Sequence, residues 1–367
     1  MADEISLARH DVVADGDLDV SISNFSVVTS YNWLDAYTPT ILVPGIPPLW
    51  SPPSTPIPIT RDKGPRYVDE NTDRNPGSPH EATVAAISAT RADFDFHAVD
   101  IITDRRPLRQ ILRFLNGEYV HPEHGHTTAF ELGLELIGNT VLIRRIERTR
   151  DPLIQNKKDY RRSFEGNYLK MPTYAAESTS HHRILRYNFG SLKLLVRYAA
   201  DAYLNPKPTP PDDALDDLVG ILKAASLDRR QPSAKNAWLN RVSILKQGQK
   251  IPQAATLELS TRSDYSEFDL QDRMPDFWLS QTHHFMLCGY KAAPCSKALF
   301  YNLQQTDLAP KITKWEQANK SLLQKLATLL KKVIGIIKTN GGGHWTISFS
   351  GEEDAPLLIK RGGGENG

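Results

Sequence analysis

The sequence predicts a single mixed α/β (or α+β) domain in which a mixed central sheet is flanked by helices. Apolar residues make up 40% of the 367 residues and are spread along the whole chain, so a sizeable core can form. Strand-like patterns alternate with amphipathic helical patterns over most of the length. No internal repeat is visible.

The first half of this domain contains predicted strands, hairpins and helices in alternation. HAVDIITD is typical of a short strand, and RPLRQILRFLNG is typical of a helix closed by glycine. AFELGLELIGNTVLIRRIERT predicts two strands joined at Gly138-Asn139, a pair favoured in hairpin turns. YRRSFEGNYL has a helical pattern, and HRILRYNFGSLKLLVRYAADAY predicts two strands that meet at Gly190-Ser191.

Residues 205–253 interrupt this alternation with NPKPTPPDD, a short amphipathic helix at ALDDLVGILKAA and a polar stretch. We predict an insertion here. ATLELST then predicts a central strand that neighbours the strand LKLLVRYAAD, because both are rich in branched apolar residues. MPDFWLSQTHHFMLCGYKA predicts a helix followed by a strand, and HWTISFSG with APLLIKR predicts a last hairpin.

A long helix is expected from about Lys311 to Thr339, with an apolar side and many lysines elsewhere. The lysines would suit a strap over nucleic acid. We favour a helix that packs on the sheet and keeps a solvated lysine face.

Residues 31–66 contain nine of the 25 prolines and are expected to be extended, because proline fixes φ and lacks a backbone donor. The segment could be a ligand for a proline-recognition module, but we favour an arm held on the domain by Trp33 and Trp50. The predicted organisation is an N-terminal tail (1–30), this arm (31–70), one domain (71–360) and a flexible tail (361–367).

Composition narrows the class of protein. The net charge of +1 does not by itself indicate nucleic acid, although a local basic groove is compatible with it. Two cysteines, Cys288 and Cys295, do not form a disulfide framework. An acidic start without a long apolar run, and no stretch of about 18 apolar residues, predict an intracellular protein, nuclear or cytoplasmic, with no membrane partner.

Two short motifs suggest chemistry that the rest of the chain does not support. Asp212, Asp213 and Asp216 of DDALDD match the DDxxD motif of prenyl diphosphate synthases, but that chemistry needs two such motifs in an all-helical bundle. Acids at a helix start are also favoured by the helix dipole.

The second motif is HPEHGH, with histidines at 121, 124 and 126. It could contribute to a zinc site, but a tetrahedral site needs a second, distant ligand pair. We favour a surface loop.

Three carboxylates on predicted elements form a third candidate site. Glu165 is on a predicted helix, Asp201 ends one strand and Glu258 is on the next. Oxygen ligands from fixed positions are what a hard cation such as Mg²⁺ prefers. Ser260 lies on the same face as Glu258, two residues further along the strand. A lysine at that position would orient or activate the attacking water and offset charge on a phosphate.

The chain also contains, in order, the segments ITDRRPLRQIL, YRRSFEGNYL, KLLVRYAADAY, TLELSTR, MPDFWLSQ and LCGYKA. This ordered set resembles the motifs of the eukaryotic decapping exonuclease family (DXO and its yeast relatives), a branch of the PD-(D/E)XK nuclease fold. That family removes aberrant or non-classical 5′ caps from RNA and can degrade the body of the transcript. The resemblance covers roughly residues 100–295 and implies a PD-(D/E)XK nuclease-like fold.

The resemblance implies a role for each matching residue. Glu165, Asp201 and Glu258 would be metal ligands and catalytic residues, with Mg²⁺ or Mn²⁺ as the cofactor. Gln281 and Lys291 would complete the catalytic set. Arg105, inside the RNA tunnel, and Lys291 would bind the substrate.

Three departures from the family pattern lie within the matching motifs. Ala199 stands where the glutamate of the E-Φ-D strand belongs (Φ is apolar), and Ser260 stands where the lysine of the E-Φ-K strand belongs. FWLSQ is one residue longer than the family's W-x-Q, and the run from Gln281 to Gly289 is shorter. Losing a general acid–base or orienting group typically costs about 10²–10⁴ in rate.

The sequence therefore predicts a protein of decapping-exonuclease type that binds RNA 5′ ends through a degenerate, weakened or inactive metal-dependent phosphodiesterase site. An exonuclease or another protein is the expected partner. One alternative is an active Mg²⁺- or Mn²⁺-dependent decapping or 5′–3′ RNA exonuclease. Another is a structural subunit that does not bind RNA. The chain also resembles filamentous-fungal proteins labelled geranylgeranyl pyrophosphate synthase, a label that its single aspartate motif does not support.

Overall fold

The computed structural model describes residues 4–64, 66–67, 69–75, 77–117, 128–146, 153–154, 159–205, 242–264 and 266–362. Within them the chain forms strands and α-helices of the predicted mixed class. The strands are β1 (Glu4–Leu7), β2 (Ser23–Leu34), β3 (Thr40–Gly45), β4 (Leu49–Trp50), β5 (Pro58–Thr60), β6 (Arg66–Tyr67), β7 (Ile101–Asp104), β8 (Phe130–Ile137), β9 (Thr140–Arg145), β10 (Leu153–Ile154), β11 (Leu169–Lys170), β12 (Ser178–Phe189), β13 (Leu192–Ala199), β14 (Ala202–Tyr203), β15 (Ser243–Gly248), β16 (Thr256–Ser263), β17 (His284–Ala293), β18 (Lys297–Asp307), β19 (His344–Phe349) and β20 (Leu357–Arg361). The α-helices are α1 (Glu70–Arg74), α2 (Glu81–Thr90), α3 (Arg105–Asn116), α4 (Arg161–Tyr168), α5 (Leu270–Ser280), α6 (Ala309–Ala318) and α7 (Lys320–Thr339).

The larger sheet has the strand order β1-β20-β19-β8-β9-β7-β13-β12-β2-β3-β15. It is mixed, because β7 runs parallel to both β9 and β13 while the pairs that flank them are antiparallel. One face packs against α3, α5, α6 and α7 in the main apolar core, and the other packs against α2. A mixed sheet covered by helices is the predicted architecture, and it is confirmed.

The β12–β13 hairpin shows how local sequence produces this sheet. Its two turn residues, Gly190 and Ser191, both have positive φ, as a tight two-residue hairpin turn requires. A Cβ on Gly190 would lie 2.5 Å from the Cβ of Ala327 on α7. Glycine therefore permits both the turn and the close approach of the helix.

A second sheet has the strand order β11-β4-β14-β16-β17-β18-β5. The strand ATLELST is β16 in this sheet, whereas LKLLVRYA is β13 in the larger one. The prediction that they are neighbours is therefore wrong. After β13 the chain turns at Ala200 and Asp201 and enters the second sheet as β14, which pairs with β16. Asp201 consequently lies at the junction of the two sheets.

The N-terminal segments belong to the folded domain. Strand β1 pairs with β20, and β2 pairs with β12, so part of the segment expected to be a tail extends the larger sheet. The proline-rich arm contributes β3, β4 and β5. Trp33 is fully buried, and Trp50 packs beside Phe164 and Tyr168, in line with an arm held on the domain.

The expected single helix from about Lys311 to Thr339 is two helices, α6 and α7. Asn319 separates them with a non-helical backbone, and its Nδ2 donates a hydrogen bond to the Trp315 carbonyl oxygen. Asparagine competes in this way for backbone groups and favours helix ends.

Several predicted segments lie outside the described residues: most of the insertion at 205–253, the DDALDD motif and the HPEHGH motif. None of the helices in the described ranges is long and apolar enough to cross a membrane.

Candidate functional site

Glu258 is the most deeply buried acid of the predicted site. On β16, Leu257 and Leu259 point into the apolar core of the second sheet, and each such burial contributes about 2 kcal/mol. Glu258 consequently projects from the opposite face, where it is only 3% exposed. Burial raises its pKa, the nearby guanidinium of Arg105 opposes that rise, and the charge of Asp201 adds to it.

Arg105 neutralises this carboxylate. It is the first residue of α3, directly after β7, and its Nη1 is 2.6 Å from Oε1 of Glu258. The same nitrogen donates to Oγ of Ser280 at 3.3 Å, and the guanidinium lies over the ring of Tyr198. Burial lowers the pKa of Arg105, but Glu258 and Asp276 outweigh that effect and raise it, so the residue stays charged.

The pair belongs to a larger ion network between α3 and α5. Arg109 contacts Asp276 at 2.6 Å and Asp272 at 2.7 Å, and Arg113 contacts Asp272 at 2.6 Å. Arg273 lies 3.1 Å from Asp276 and 3.9 Å from Glu258. The sequence analysis did not identify this network. A visible signal was the i, i+4 spacing of arginines on α3 and of aspartates on α5, which places each set on one helix face.

Asp201 connects the two sheets and the helix α4. Its Oδ2 accepts a hydrogen bond from the backbone N–H of Leu259 at 2.8 Å, next to Glu258 on β16. Its Oδ1 accepts one from Nη2 of Arg161 at 2.7 Å. Asp201 is thereby fixed from both sides.

Glu165 is joined to Asp201 through the same arginine. Nε of Arg161 donates to Oε1 of Glu165 at 2.7 Å, along an i, i+4 pair on α4. Burial raises the pKa of Glu165, against the opposing effect of Arg161. Asp201, followed by Glu165 and Glu258, raises the pKa of Arg161, although burial opposes that rise.

The proline-rich arm positions the helix that carries these residues. Asp62 accepts hydrogen bonds from the backbone N–H groups of Arg162 and Ser163 at 2.9 and 2.8 Å. Both N–H groups belong to the first turn of α4, where the helix itself supplies no acceptor, so Asp62 acts as a cap from a distant part of the chain.

The three predicted acids thus converge on one site. Arg161 contacts both Glu165 and Asp201, and Asp201 accepts a hydrogen bond from the Leu259 amide, next to Glu258 on β16. In the part of the chain that the structure describes, however, no group of three or more acidic, histidine or cysteine side chains is placed to hold a metal ion. Arg161 lies between Glu165 and Asp201, and Arg105 contacts Glu258. As arranged, these residues do not fit a divalent cation.

The two substituted positions are close to this cluster in sequence and register. Ser260 is half-buried on the same face of β16 as Glu258. Ala199 is the last residue of β13, exposed, two residues before Asp201.

Gln281 and Lys291 make contacts away from the acids. Gln281 ends α5 with a φ of 49°, and its Nε2 donates to the Trp278 carbonyl oxygen, whereas Ser280 contacts Arg105. Lys291 has a side chain 60% exposed, 4.0 Å from Asp264 and over the ring of Tyr301. Glu258 pairs with Phe285 on β17, so Lys291 lies about 20 Å further along that strand.

Comparisons with known proteins agree with this fold. A sequence model of a protein family described as a domain of unknown function (DUF8563) matches residues 4–359. A comparison with curated proteins finds no match.

Among solved structures, Scheffersomyces stipitis Rai1 in complex with (3′-NADP)+ and calcium ion is similar at a TM-score of 0.59 and 10% identity, over 96% of this chain and 93% of that one. Candida albicans Rai1 in complex with pU5 and Mn²⁺ is similar at a TM-score of 0.55 and 9% identity, over 98% of this chain and 93% of that one. K. lactis Dxo1 in complex with manganese is similar at a TM-score of 0.51 and 9% identity, over 99% of both chains. The chain therefore has the fold of the Rai1 and Dxo1 structures, and the predicted resemblance to the decapping exonuclease fold is confirmed.

Proposed function

We propose that this chain, which belongs to the DUF8563 family of unknown function, binds RNA 5′ ends and has lost efficient hydrolysis. The proposed binding site is the acid–arginine cluster, formed by Glu165, Asp201, Glu258, Arg105, Arg161 and Arg273. The fold supports the RNA part of the proposal. Candida albicans Rai1 was solved with pU5, and Scheffersomyces stipitis Rai1 with a dinucleotide. Nucleic acid with a phosphorylated 5′ end is the ligand class that fits this fold.

One observation carries the loss of hydrolysis: arginines already neutralise the acids that would hold a metal. Arg161 joins Glu165 to Asp201, and Arg105 contacts Glu258. Ser260 supplies a hydroxyl where the family pattern has a lysine, so the chain lacks that cation for orienting an attacking water. We therefore derive no metal-dependent step for this site.

The remaining positive charge suits phosphate. The side chains of Arg161 and Arg273 are 35% and 28% exposed, so both are partly accessible to a ligand. Arginine presents a planar fork that matches phosphate oxygens. The 5′ phosphate would meet these two groups, while Arg105 remains committed to Glu258.

The experiment incubates the full chain with 5′-triphosphate, NAD-capped, 5′-monophosphate and 5′-hydroxyl RNA, in EDTA, Mg²⁺ or Mn²⁺. Binding is followed by fluorescence anisotropy at low salt, and products by gel electrophoresis. We expect binding of the phosphorylated RNAs and intact RNA in every condition. Release of caps or nucleotides in Mn²⁺ would instead support the active exonuclease, and no affinity at low salt would support the structural subunit.

A matched pair of variants locates the binding site. Arg273→Ala should weaken RNA binding several-fold, because it removes a partly exposed cation next to Asp276 and Glu258. Lys314→Ala removes an exposed cation from α6 and should leave binding unchanged. Equal effects of the two variants would mean that RNA binds elsewhere.

A further inference from the structure

We infer that Arg161 is the resident cation of this site, taking the place of a divalent metal ion between Glu165 and Asp201. The site is consequently closed to metal, and removing the guanidinium opens it. This inference concerns the site of the proposed function, but its test contains no RNA, so either can fail without the other.

The contacts of Arg161 are those of a bridging cation. Its Nε is 2.7 Å from Oε1 of Glu165, and its Nη2 is 2.7 Å from Oδ1 of Asp201. The two acids come from different parts of the fold, a helix and the junction between the sheets. A charged guanidinium that donates to two carboxylates satisfies both at once, and arginine remains protonated at any physiological pH.

The local fold makes this arrangement firm. The i, i+4 spacing places Arg161 and Glu165 on one face of α4, and Asp62 caps the helix directly after Arg161. The Leu259 amide holds the other oxygen of Asp201. Within the described residues, Oε2 of Glu165 is thus the one oxygen of this pair that no hydrogen bond engages.

A divalent ion would have to break these contacts to bind. It needs several oxygen ligands in a fixed geometry, and the two charge-assisted hydrogen bonds of Arg161 occupy an oxygen on each acid. A divalent metal ion would also be repelled by the positive charge of the Arg161 guanidinium beside it. Competition between the arginine and the ion follows from both effects.

The test is a titration of the full chain with Mn²⁺, in which free Mn²⁺ is measured by electron paramagnetic resonance. Wild type should bind Mn²⁺ weakly at this site. Arg161→Ala should gain one site at least tenfold tighter, and adding Asp201→Asn to it should abolish the gain. The matched control is Arg162→Ala, which removes the same charge from the next residue of α4 and should behave as wild type.

Folding of each variant is checked by circular dichroism and thermal melting. Arg161→Met, which keeps the apolar stem of the side chain, is the second variant should Arg161→Ala not fold. Stoichiometric Mn²⁺ binding by wild type that Asp201→Asn removes would overturn the inference, as would a folded Arg161 variant with no gain in affinity. Even if neither variant folds, stoichiometric Mn²⁺ binding by wild type that Asp201→Asn removes would still overturn the inference.

Discussion

Arg105 and Glu258 form an ion pair in which Nη1 and Oε1 are 2.6 Å apart, the acid side chain only 4% exposed and the arginine 16%. The two residues are 153 positions apart, on the first turn of α3 and on β16 of the second sheet. The pair therefore ties the larger sheet and its helix to the smaller sheet, at the place where the other acids converge.

Arg105→Ala should destabilise the protein by about 3–5 kcal/mol, because it leaves Glu258 buried without its main partner. Urea unfolding at pH 7 measures this. Arg105→Met combined with Glu258→Leu should recover much of the loss, since no unpaired charge remains. Lys291→Ala is the control, with an exposed side chain and an expected change within about 0.5 kcal/mol. Equal losses for Arg105→Ala and Lys291→Ala would contradict the structural role of the pair.

Acid should destabilise the fold through the buried histidine His182. Burial, with a further effect of Arg197, lowers its pKa to about 4 from 6.5. The folded state therefore favours the neutral form of His182. Its contribution to the free energy of unfolding is complete above pH 6.5 and is lost as the pH falls through about 4. Unfolding free energy should rise with pH across this window.

His182→Gln should reduce the slope of the free energy of unfolding against pH by up to about 1.4 kcal/mol per pH unit. The measurement is denaturant unfolding at several pH values between 4 and 6.5. His10→Gln, at a residue whose side chain is 87% exposed, should keep the wild-type slope. If His182→Gln also keeps it, His182 does not remain neutral in the folded state.

Asp62→Ala should cost about 1 kcal/mol, because two first-turn N–H groups of α4 lose their acceptor. Asp62→Asn retains an oxygen acceptor and should cost less. Thermal unfolding compares both with Asp93→Ala, a change at an exposed aspartate. The idea that the arm positions α4 would be abandoned if Asp62→Ala and Asp93→Ala were equivalent.

The sequence located the acids of the site but not their partners. Glu165, Asp201 and Glu258 lie on elements with clear local patterns, so their neighbourhood could be inferred from motif order. Arg161 adjoins Glu165 in the same helical motif, but its contact with Asp201 depends on how the chain passes from β13 to β14. Local patterns specify strands and helices, whereas the division into two sheets depends on which strands pair at long range.

The same limit explains the other differences. The side chain of Asp276 points towards Arg105 and Arg109 because α3 and α5 pack together. The i, i+4 spacing marks a charged face on each helix, but it does not show that these two faces meet. Lys291 is on the predicted strand, yet the register of β16 and β17 places it far from Glu258. Its role in substrate binding and that of Gln281 in catalysis remain predictions.

Restoring the family residues tests the origin of Ser260. Ser260→Lys with Ala199→Glu supplies the lysine and the missing acid, but Arg161 still bridges Glu165 and Asp201, so we expect no hydrolysis. Adding Arg161→Ala should give Mn²⁺-dependent cleavage of 5′-phosphorylated RNA at least tenfold above the parent, followed by gel electrophoresis.

The control for that triple variant replaces Ser260→Lys by Thr261→Lys, which projects from the opposite face of β16 and should stay inactive. If the triple variant folds, binds Mn²⁺ and still leaves RNA intact, the strand is not a degenerate nuclease strand.

The most direct test of the account is the affinity of the full chain, in EDTA, for a 3′-labelled oligoribonucleotide with a 5′ monophosphate and for the same oligoribonucleotide with a 5′ hydroxyl. Fluorescence anisotropy measures both at low salt, before and after addition of Mn²⁺. If the protein binds RNA 5′ ends without hydrolysis, the phosphorylated RNA binds at least tenfold more tightly, its affinity is unchanged by Mn²⁺, and it stays intact. Equal affinity for the two RNAs, or binding of the phosphorylated RNA only when Mn²⁺ is present, would contradict it.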